Sequence, residues 1–176
     1  MSRIEDLDCP SYLLIDLDAY GVKFAKVIEA AWAIKEVIEQ VSLSALFKTS
    51  AGDGLHLLIP LEQGQNYERV KQVGDHLPEV ITARFPKLLT MERSLAKRPS
   101  GRVYFDHVQI GRGKTIACPY SIRPYAKAPV STPLLLDELA ANLQITQFNI
   151  NNTLAGLEAA GNSWVAAGEI RYRPGM

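Results

Sequence analysis

Long apolar runs, cysteine and net charge are all scarce in this sequence of 176 residues. No run of about eighteen apolar residues is present, so no transmembrane helix is predicted. The acidic N-terminus, residues 1–6, lacks the apolar region of a secretory signal peptide. The two cysteines, Cys9 and Cys118, offer neither a disulfide framework nor a zinc-type spacing, which favours a reducing compartment. We therefore expect a cytoplasmic protein with no membrane partner.

The composition is nevertheless that of a folded protein. Hydrophobic residues make up 47% of the chain and charged residues 22%, which is ordinary globular usage and excludes a disordered chain. The length suits one domain, so residues 1–176 are predicted to fold as a single unit.

A net charge of zero hides a strong separation of charge along the chain. Residues 1–92 carry nine basic and fourteen acidic side chains, and residues 128–176 carry two and four. Residues 93–127 carry eight basic side chains and one acidic side chain, Asp106. A basic segment of this kind attracts phosphates, although it is also compatible with a solvated face that finds its acids elsewhere in the fold. Neutrality therefore does not exclude a nucleic-acid partner.

The hydrophobic pattern predicts an α+β fold with helices largely on one face of a sheet. Apolar spacings of three and four, from Phe24 to Val41 and from Tyr67 to Ile81, predict two amphipathic helices. Four prolines between residues 119 and 133 predict an extended C-terminal arm, followed by short helices over 135–143 and 150–159. Strands are predicted at residues 12–18, 46–49, 55–60, 102–109 and 115–118.

Three acidic residues on the predicted strands are candidate metal ligands. Asp16 and Asp18 are two residues apart on one strand, so both carboxylates point to the same face. Asp106 follows Val103-Tyr104-Phe105 on a later predicted strand and could complete a three-carboxylate site for two Mg²⁺ or Mn²⁺ ions, which serves in-line displacement at phosphorus. Solvated strand ends, a helix N-cap at Asp18 and a salt bridge at Asp106 explain the same acids without a metal.

The turn between the second and third strands is a candidate anion site. Ser50, Gly52 and Gly54 are small, so successive backbone N–H groups can face one concavity, and the Ser50 hydroxyl adds a donor. His56, just inside the next strand, could reach the same anion. An ordinary hairpin turn with a surface histidine remains the alternative.

Arg123 and the two tryptophans lie outside these motifs, and each carries a separate prediction. Arg123 lies between Pro119 and Pro124 in an extended stretch, which suits either a phosphate contact or a salt bridge at the edge of the core. Trp32 and Trp164 are predicted to belong to the core.

Taken together, these motifs resemble the polymerase domain of bacterial and archaeal DNA ligase D, in the archaeo-eukaryotic primase superfamily. The resemblance runs in order from Pro10 to Leu139. It is carried by Ile15-Asp16-Leu17-Asp18, Lys48-Thr49-Ser50-Ala51-Gly52-Asp53-Gly54-Leu55-His56, Phe105-Asp106-His107-Val108-Gln109 and Ala117-Cys118-Pro119-Tyr120-Ser121-Ile122-Arg123.

The resemblance implies a primase-like (RRM-like) mixed, mainly antiparallel sheet with flanking helices. It implies a template-dependent nucleotidyltransferase, a DNA primase-polymerase that adds nucleotides to DNA ends in non-homologous end joining with Mn²⁺ or Mg²⁺. Asp16, Asp18 and Asp106 match its catalytic metal ligands. Ser50, Gly52, Gly54 and His56 match the motif that holds the phosphates of the nucleotide, and Gln109 and Arg123 match positions that contact the incoming nucleotide.

The resemblance also sets expectations about partners and completeness. DNA and an NTP or dNTP are the implied ligands, in a prokaryotic protein associated with the nucleoid. A ligase and a Ku-type end-binding protein are further implied partners. Compared with the family, Asp53 stands where a Lys is usual and Ile110 where an Asn is usual. The family's N-terminal segment before the first motif is absent, so a chain that supplies it, as in a split enzyme, is another expected partner.

Two other functions remain open. A catalytically weakened or inactive DNA- or nucleotide-binding module of the same fold fits Asp53 and the absent N-terminal segment. A metal-dependent phosphohydrolase that uses the same acids is a weaker alternative.

Overall fold

A six-stranded sheet forms the centre of the protein, seen in a computed structural model that describes residues 2–3 and 6–160. The central strand is paired antiparallel on both sides, and the one parallel pair lies at an edge of this sheet. The predicted α+β class with a mixed, mainly antiparallel sheet is therefore confirmed. In spatial order the strands are β6 (Leu89–Thr90), β7 (Val103–Asp106), β3 (Tyr12–Asp18), β5 (Leu55–Pro60), β4 (Leu46–Thr49) and β8 (Pro133–Leu134), whereas β1 (Ser2–Arg3) and β2 (Asp6–Pro10) form a separate pair.

Both long helices pack on one face of the sheet, as the sequence predicted. Helix α1 is Phe24–Gln40 and helix α2 is Tyr67–Arg84. Their buried stripes form one apolar cluster with alternate residues of the strands, such as Leu13, Ile15 and Leu17 of β3. Because side chains alternate along a strand, the residues between them face the opposite side. The helices therefore leave a second sheet face free for polar side chains.

The predicted strands 12–18, 46–49 and 55–60 are observed with those bounds, but two others differ. Strand β7 stops at Asp106 because the carboxylate of that residue accepts a hydrogen bond from the Val108 N–H, which turns the chain out of the sheet. The prediction of a strand over 115–118 is wrong. That segment is half-buried or exposed and pairs with no strand of the described sheets.

The C-terminal arm has little regular structure, as predicted, but it is not simply extended: bends and a turn over 124–127 fold it back on itself, and an isolated bridge joins Ile122 to Val130. The helix predicted over 135–143 is observed as separate turns, whereas that over 150–159 is helix α3, Thr153–Ala160. The core assignment of Trp32 is wrong: it is 40% exposed, and its indole Nε1 donates to the Leu139 carbonyl. Trp164 lies outside the described residues.

Among the helices of the described ranges, none is long and apolar enough to cross a membrane.

Candidate active site

The three candidate acids lie on adjacent strands at the centre of the free sheet face. Asp16 of β3 is directly opposite Asp106 of β7, and Asp18 is opposite Tyr104 of β7. Directly opposed Cβ atoms in an antiparallel pair are about 4.5–5.5 Å apart. The tertiary fold therefore brings together carboxylates that are about ninety positions apart in the sequence.

Two of these carboxylates are already engaged by the protein. Asp106 accepts hydrogen bonds from the Val108 N–H at 3.0 Å and from Nε2 of Gln109 at 3.1 Å. Asp18 accepts one from the Tyr20 N–H at 3.1 Å. Within residues 2–3 and 6–160, no three His, Cys, Asp or Glu side chains are grouped as a ready-made metal site. The three candidate acids therefore lie on one face of the sheet, but they are not grouped closely enough to form a metal site as they stand.

The electrostatics of the acids nevertheless suit a divalent cation. Burial, followed by the nearby carboxylates of Asp106 and Asp18, raises the pKa of Asp16 to about 7. Carboxylate oxygens are the ligands that Mg²⁺ and Mn²⁺ prefer, and a bound dication removes the repulsion between neighbouring acids. The donor set therefore fits these metals in charge and in chemistry.

The turn between β4 and β5 folds around the Ser50 hydroxyl. Its Oγ accepts hydrogen bonds from the backbone N–H groups of Gly52 and Gly54, each at 3.1 Å, and the Ser50 N–H donates to the Gly54 carbonyl. The two amides therefore converge on one oxygen position, as the sequence predicted for an anion nest, but the Ser50 oxygen accepts from them here. An incoming anion would compete with that oxygen for both donors.

Near this turn, the side chains of His56 and Arg123 each have a buried nitrogen without a hydrogen-bond partner in the described part of the chain. His56 Nε2 lies 3.5 Å from Asp16 Oδ1. Burial, with the cationic Lys48 and Arg123 nearby, lowers the pKa of His56 to about 3, so this imidazole is neutral at pH 7. Among the described residues, His56 Nδ1 and Arg123 Nε are buried without a hydrogen-bond partner. A buried polar atom without a hydrogen-bond partner destabilises the fold unless a ligand or a water molecule supplies that partner.

All nine residues selected from the sequence line a single cavity of about 280 Å³. The acids lie on β3 and β7, the phosphate motif on the turn and the start of β5, and Arg123 on the arm. The roles assigned to these residues stay predictions, but their convergence from three separate motifs is a property of the fold. The nine are Asp16, Asp18, Ser50, Gly52, Gly54, His56, Asp106, Gln109 and Arg123.

Sequence reasoning did not select several residues of the same region. Tyr104 and Tyr125 line the cavity, and Tyr104 could have been found because it precedes Asp106 by two positions on one strand. Asp53 also lines the cavity, so the carboxylate is part of the candidate phosphate site. Ile110, in contrast, is 9% exposed and belongs to the apolar core cluster on the helical face.

An α+β domain with acids on adjacent strands, and beside them a turn whose backbone amides converge on one oxygen position, is the arrangement of a primase-polymerase type domain. The chain belongs to the family described as LigD, primase-polymerase domain, whose model matches residues 1–164. The resemblance identified from the sequence motifs is thereby confirmed.

Proteins and structures similar to this chain agree with that family. The chain is 32% identical over 154 residues to the bifunctional non-homologous end joining protein LigD of Bacillus subtilis, which covers 86% of this chain and 25% of that protein. It is 27% identical to the multifunctional LigD of Pseudomonas aeruginosa, over 98% of this chain and 21% of the relative. The chain thus spans about a quarter or less of these relatives.

A solved structure with a similar fold is the polymerase domain from Mycobacterium tuberculosis Ligase D in complex with DNA. The TM-score is 0.82 at 25% sequence identity, and the match covers 92% of this chain and 56% of that chain.

Proposed function

We propose that this chain is a template-dependent nucleotidyltransferase that adds nucleotides to the ends of broken DNA in non-homologous end joining. Its family and the names of its relatives support the pathway. The observation that carries the proposal is the meeting of nine predicted residues, from separate motifs, in one cavity. One cavity lined by both the acids and the candidate phosphate-binding groups suits transfer of a nucleotidyl group.

Asp16, Asp18 and Asp106 are the residues that would hold Mn²⁺ or Mg²⁺. Bound ions of this kind activate the attacking 3′-oxygen of a primer and stabilise the leaving oxygen of pyrophosphate. Gln109 donates to Asp106 and so fixes the rotamer of that acid. In this arrangement Gln109 contributes first by orienting Asp106, and a contact with the nucleotide would add to that role.

The turn and its neighbours would bind the phosphates of the nucleotide. The N–H groups of Gly52 and Gly54 point to one oxygen position, and the Ser50 hydroxyl can rotate to donate instead of accept. Neutral His56 has one N–H donor, and the Arg123 guanidinium, which also lines the cavity, adds further donors from the arm. Charge-assisted hydrogen bonds of this kind hold phosphate oxygens in place while the α-phosphate is attacked.

The basic segment is the proposed surface for DNA. The similar Mycobacterium structure is a complex with DNA, which supports this class of partner. Arg93 and Lys97 precede β7, Lys114 and Lys127 follow it, and all four are exposed. Such side chains bind the phosphate backbone with a strong salt dependence and without sequence preference. Three further partners remain predictions: a ligase, a Ku-type end-binding protein, and a chain that supplies the family's N-terminal segment.

Primer extension tests the proposal directly. Purified chain is incubated with Mn²⁺ or Mg²⁺, all NTPs or dNTPs, and DNA with a gap or a 3′-recessed end. We expect templated extension, its loss in Asp16→Ala and Asp106→Ala, and no loss in Asp75→Ala, an exposed acid on α2. Absence of extension under conditions in which a longer LigD protein is active would refute the enzyme proposal for this chain. Phosphate release without a template would instead indicate a phosphohydrolase.

A second candidate function is a DNA- or nucleotide-binding module without turnover. It is favoured by Asp53, whose carboxylate lines the proposed phosphate site, and by the incomplete grouping of the acids. This module would bind DNA with the same salt dependence, and Asp16→Ala would change neither that binding nor any measurable extension.

A further inference from the structure

One buried cation lies in line with the candidate site and has no role in the proposal above. On the free sheet face, Asp16 of β3 is opposite His56 of β5, and His56 is opposite Lys48 of β4. Adjacent strands are about 4.8 Å apart, so the backbone of Lys48 lies about 10 Å from that of Asp16, with the imidazole between them. A carboxylate, a neutral imidazole and an amine thus form one row across three strands.

Lys48 is fully enclosed by the protein. It has 0% exposed surface and is among the largest fully buried side chains in the described ranges. Its Nζ donates to Ser131 Oγ at 2.6 Å and to the Thr49 carbonyl at 3.4 Å. Lysine is seldom completely buried, because removing its ammonium from water is expensive. A lysine in such a place therefore calls for a reason beyond packing.

Lys48 is not needed to attach the C-terminal arm to β4, because hydrogen bonds from Thr49 and Ser131 already join the two segments. The Thr49 N–H donates to the Thr132 carbonyl, and the Thr49 hydroxyl donates to the Val130 carbonyl and accepts from the Thr132 N–H. Ser131 Oγ donates to the Thr49 carbonyl at 2.8 Å. The Ser131 hydroxyl would keep the Thr49 carbonyl as its partner if Lys48 were replaced by an apolar residue. Packing alone therefore does not explain why this position carries a positive charge.

The charges that surround Lys48 come from several elements. Burial is the main cause that lowers its pKa to about 7, and Arg123 on the arm acts in the same direction. Asp16 on β3 and Cys118 on the arm act in the opposite direction. His56, on β5, is held neutral partly by Lys48 itself. The ammonium is therefore held at the edge of ionisation, and a polyanion in the adjacent cavity would stabilise its charged form.

We propose that Lys48 is a positioning residue for nucleotide binding, whose buried ammonium, behind His56, offsets the Asp16 carboxylate and strengthens the attraction of the cavity for a triphosphate. This inference rests on the proposed function, since it assumes that the cavity takes the phosphates of a nucleotide. Lys48 does not line the cavity, so it would act through the field it imposes and through the His56 side chain in front of it.

The test compares variants that separate charge from hydrogen bonding. Lys48→Met keeps the volume and removes the charge, and Lys48→Gln removes the charge but keeps a donor for Ser131. Ser131→Ala keeps the charge and removes one partner, and Lys71→Met removes an exposed lysine on α2 as the matched control. The affinities for ATP and for inorganic triphosphate, both with Mn²⁺, are measured by calorimetry, and the melting temperatures by scanning fluorimetry.

We expect Lys48→Met and Lys48→Gln each to weaken both affinities about tenfold without lowering the melting temperature. The controls Ser131→Ala and Lys71→Met should stay within about twofold of wild type. The difference between wild type and Lys48→Met should shrink as the pH rises above 7, because Lys48 then loses its charge. A purely structural role for Lys48 would not produce that pH profile.

Three results would overturn the proposal: unchanged affinity in folded Lys48→Met, wild-type affinity in Lys48→Gln, or a loss of affinity that follows a matching loss of stability. Failure of the proposed function is recognised separately. If the chain extends no primer but its affinity for triphosphate depends on Lys48, this inference is supported and the polymerase proposal is contradicted. If the chain extends primers but its affinity for triphosphate does not depend on Lys48, the polymerase proposal is supported and this inference is contradicted.

Discussion

Asp16 and Asp106 are direct cross-strand partners, so two carboxylates oppose each other at the centre of the sheet. Their proximity, with burial as the larger cause, raises the pKa of Asp16 to about 7. An ionised Asp16 is therefore destabilising to the fold when no cation is bound. At this one residue, the stability of the metal-free fold and the proposed metal binding make opposite demands.

Replacement of Asp16 by its neutral isostere should stabilise the metal-free protein. We expect Asp16→Asn to raise the free energy of unfolding at pH 8 by roughly 1–3 kcal/mol, because a buried charge next to Asp106 is removed. Mn²⁺ should raise the melting temperature of wild type and leave Asp16→Asn unchanged. Thermal unfolding with and without Mn²⁺ measures both effects, and Asp75→Asn on α2 is the control. A lower stability of metal-free Asp16→Asn would contradict the prediction.

The buried Lys48 predicts a pH dependence of stability with a defined sign. Its pKa is 10.5 in its ordinary environment and about 7 in the folded protein, so the unfolded chain binds a proton between these values that the folded protein does not. The free energy of unfolding should therefore rise as the pH increases from 7 to 10. In Lys48→Met this contribution, on the order of 1–3 kcal/mol, should be absent.

Urea unfolding of wild type and Lys48→Met at pH 7 and pH 9.5 provides the measurement. Parallel pH profiles for the two proteins would show that Lys48 is charged in the native state throughout this range, contrary to the expectation.

The two glycines of the turn should respond differently to the same substitution. A Cβ on Gly54 would lie 2.2 Å from the Leu17 carbonyl oxygen, so Gly54→Ala must displace the turn from β3. We expect it to destabilise the protein by about 2 kcal/mol or more. A Cβ on Gly52 would meet Ser50 Oγ at 3.4 Å, an ordinary contact, so Gly52→Ala should cost less than about 1 kcal/mol. Equal effects in denaturant unfolding would contradict this reading of the turn.

The Asp53 carboxylate should weaken nucleotide binding. Asp53 is exposed and lines the cavity, so Asp53→Lys replaces a repulsive charge by an attractive one without disturbing the core. We expect about threefold to tenfold tighter binding of Mn²⁺–ATP at low ionic strength, and a smaller gain at high salt. Glu79→Lys makes the same change in net charge on α2 and should have no comparable effect. The prediction fails if both variants gain affinity equally.

Much of the fold could be predicted because its signals are local. The strands 12–18, 46–49 and 55–60 and both long helices follow from apolar runs and from spacings of three and four, which the neighbouring residues alone decide. The strand expected over 115–118 is absent because β-forming residues do not pair without a neighbouring strand and buried area. The N-terminal pair of β1 and β2 was not predicted from the sequence.

The sequence by itself determined which side chains bring chemistry to this protein: two acids on one strand, a third acid in a basic segment, and a turn of small residues before a histidine. Periodicity of two was enough to place Asp16 and Asp18 on one face. Only the tertiary structure decided that Asp106 lies opposite Asp16, that Gln109 holds Asp106, and that Lys48 is buried behind His56. Those relations depend on strand order and register, which bring distant segments together and which no local pattern specifies.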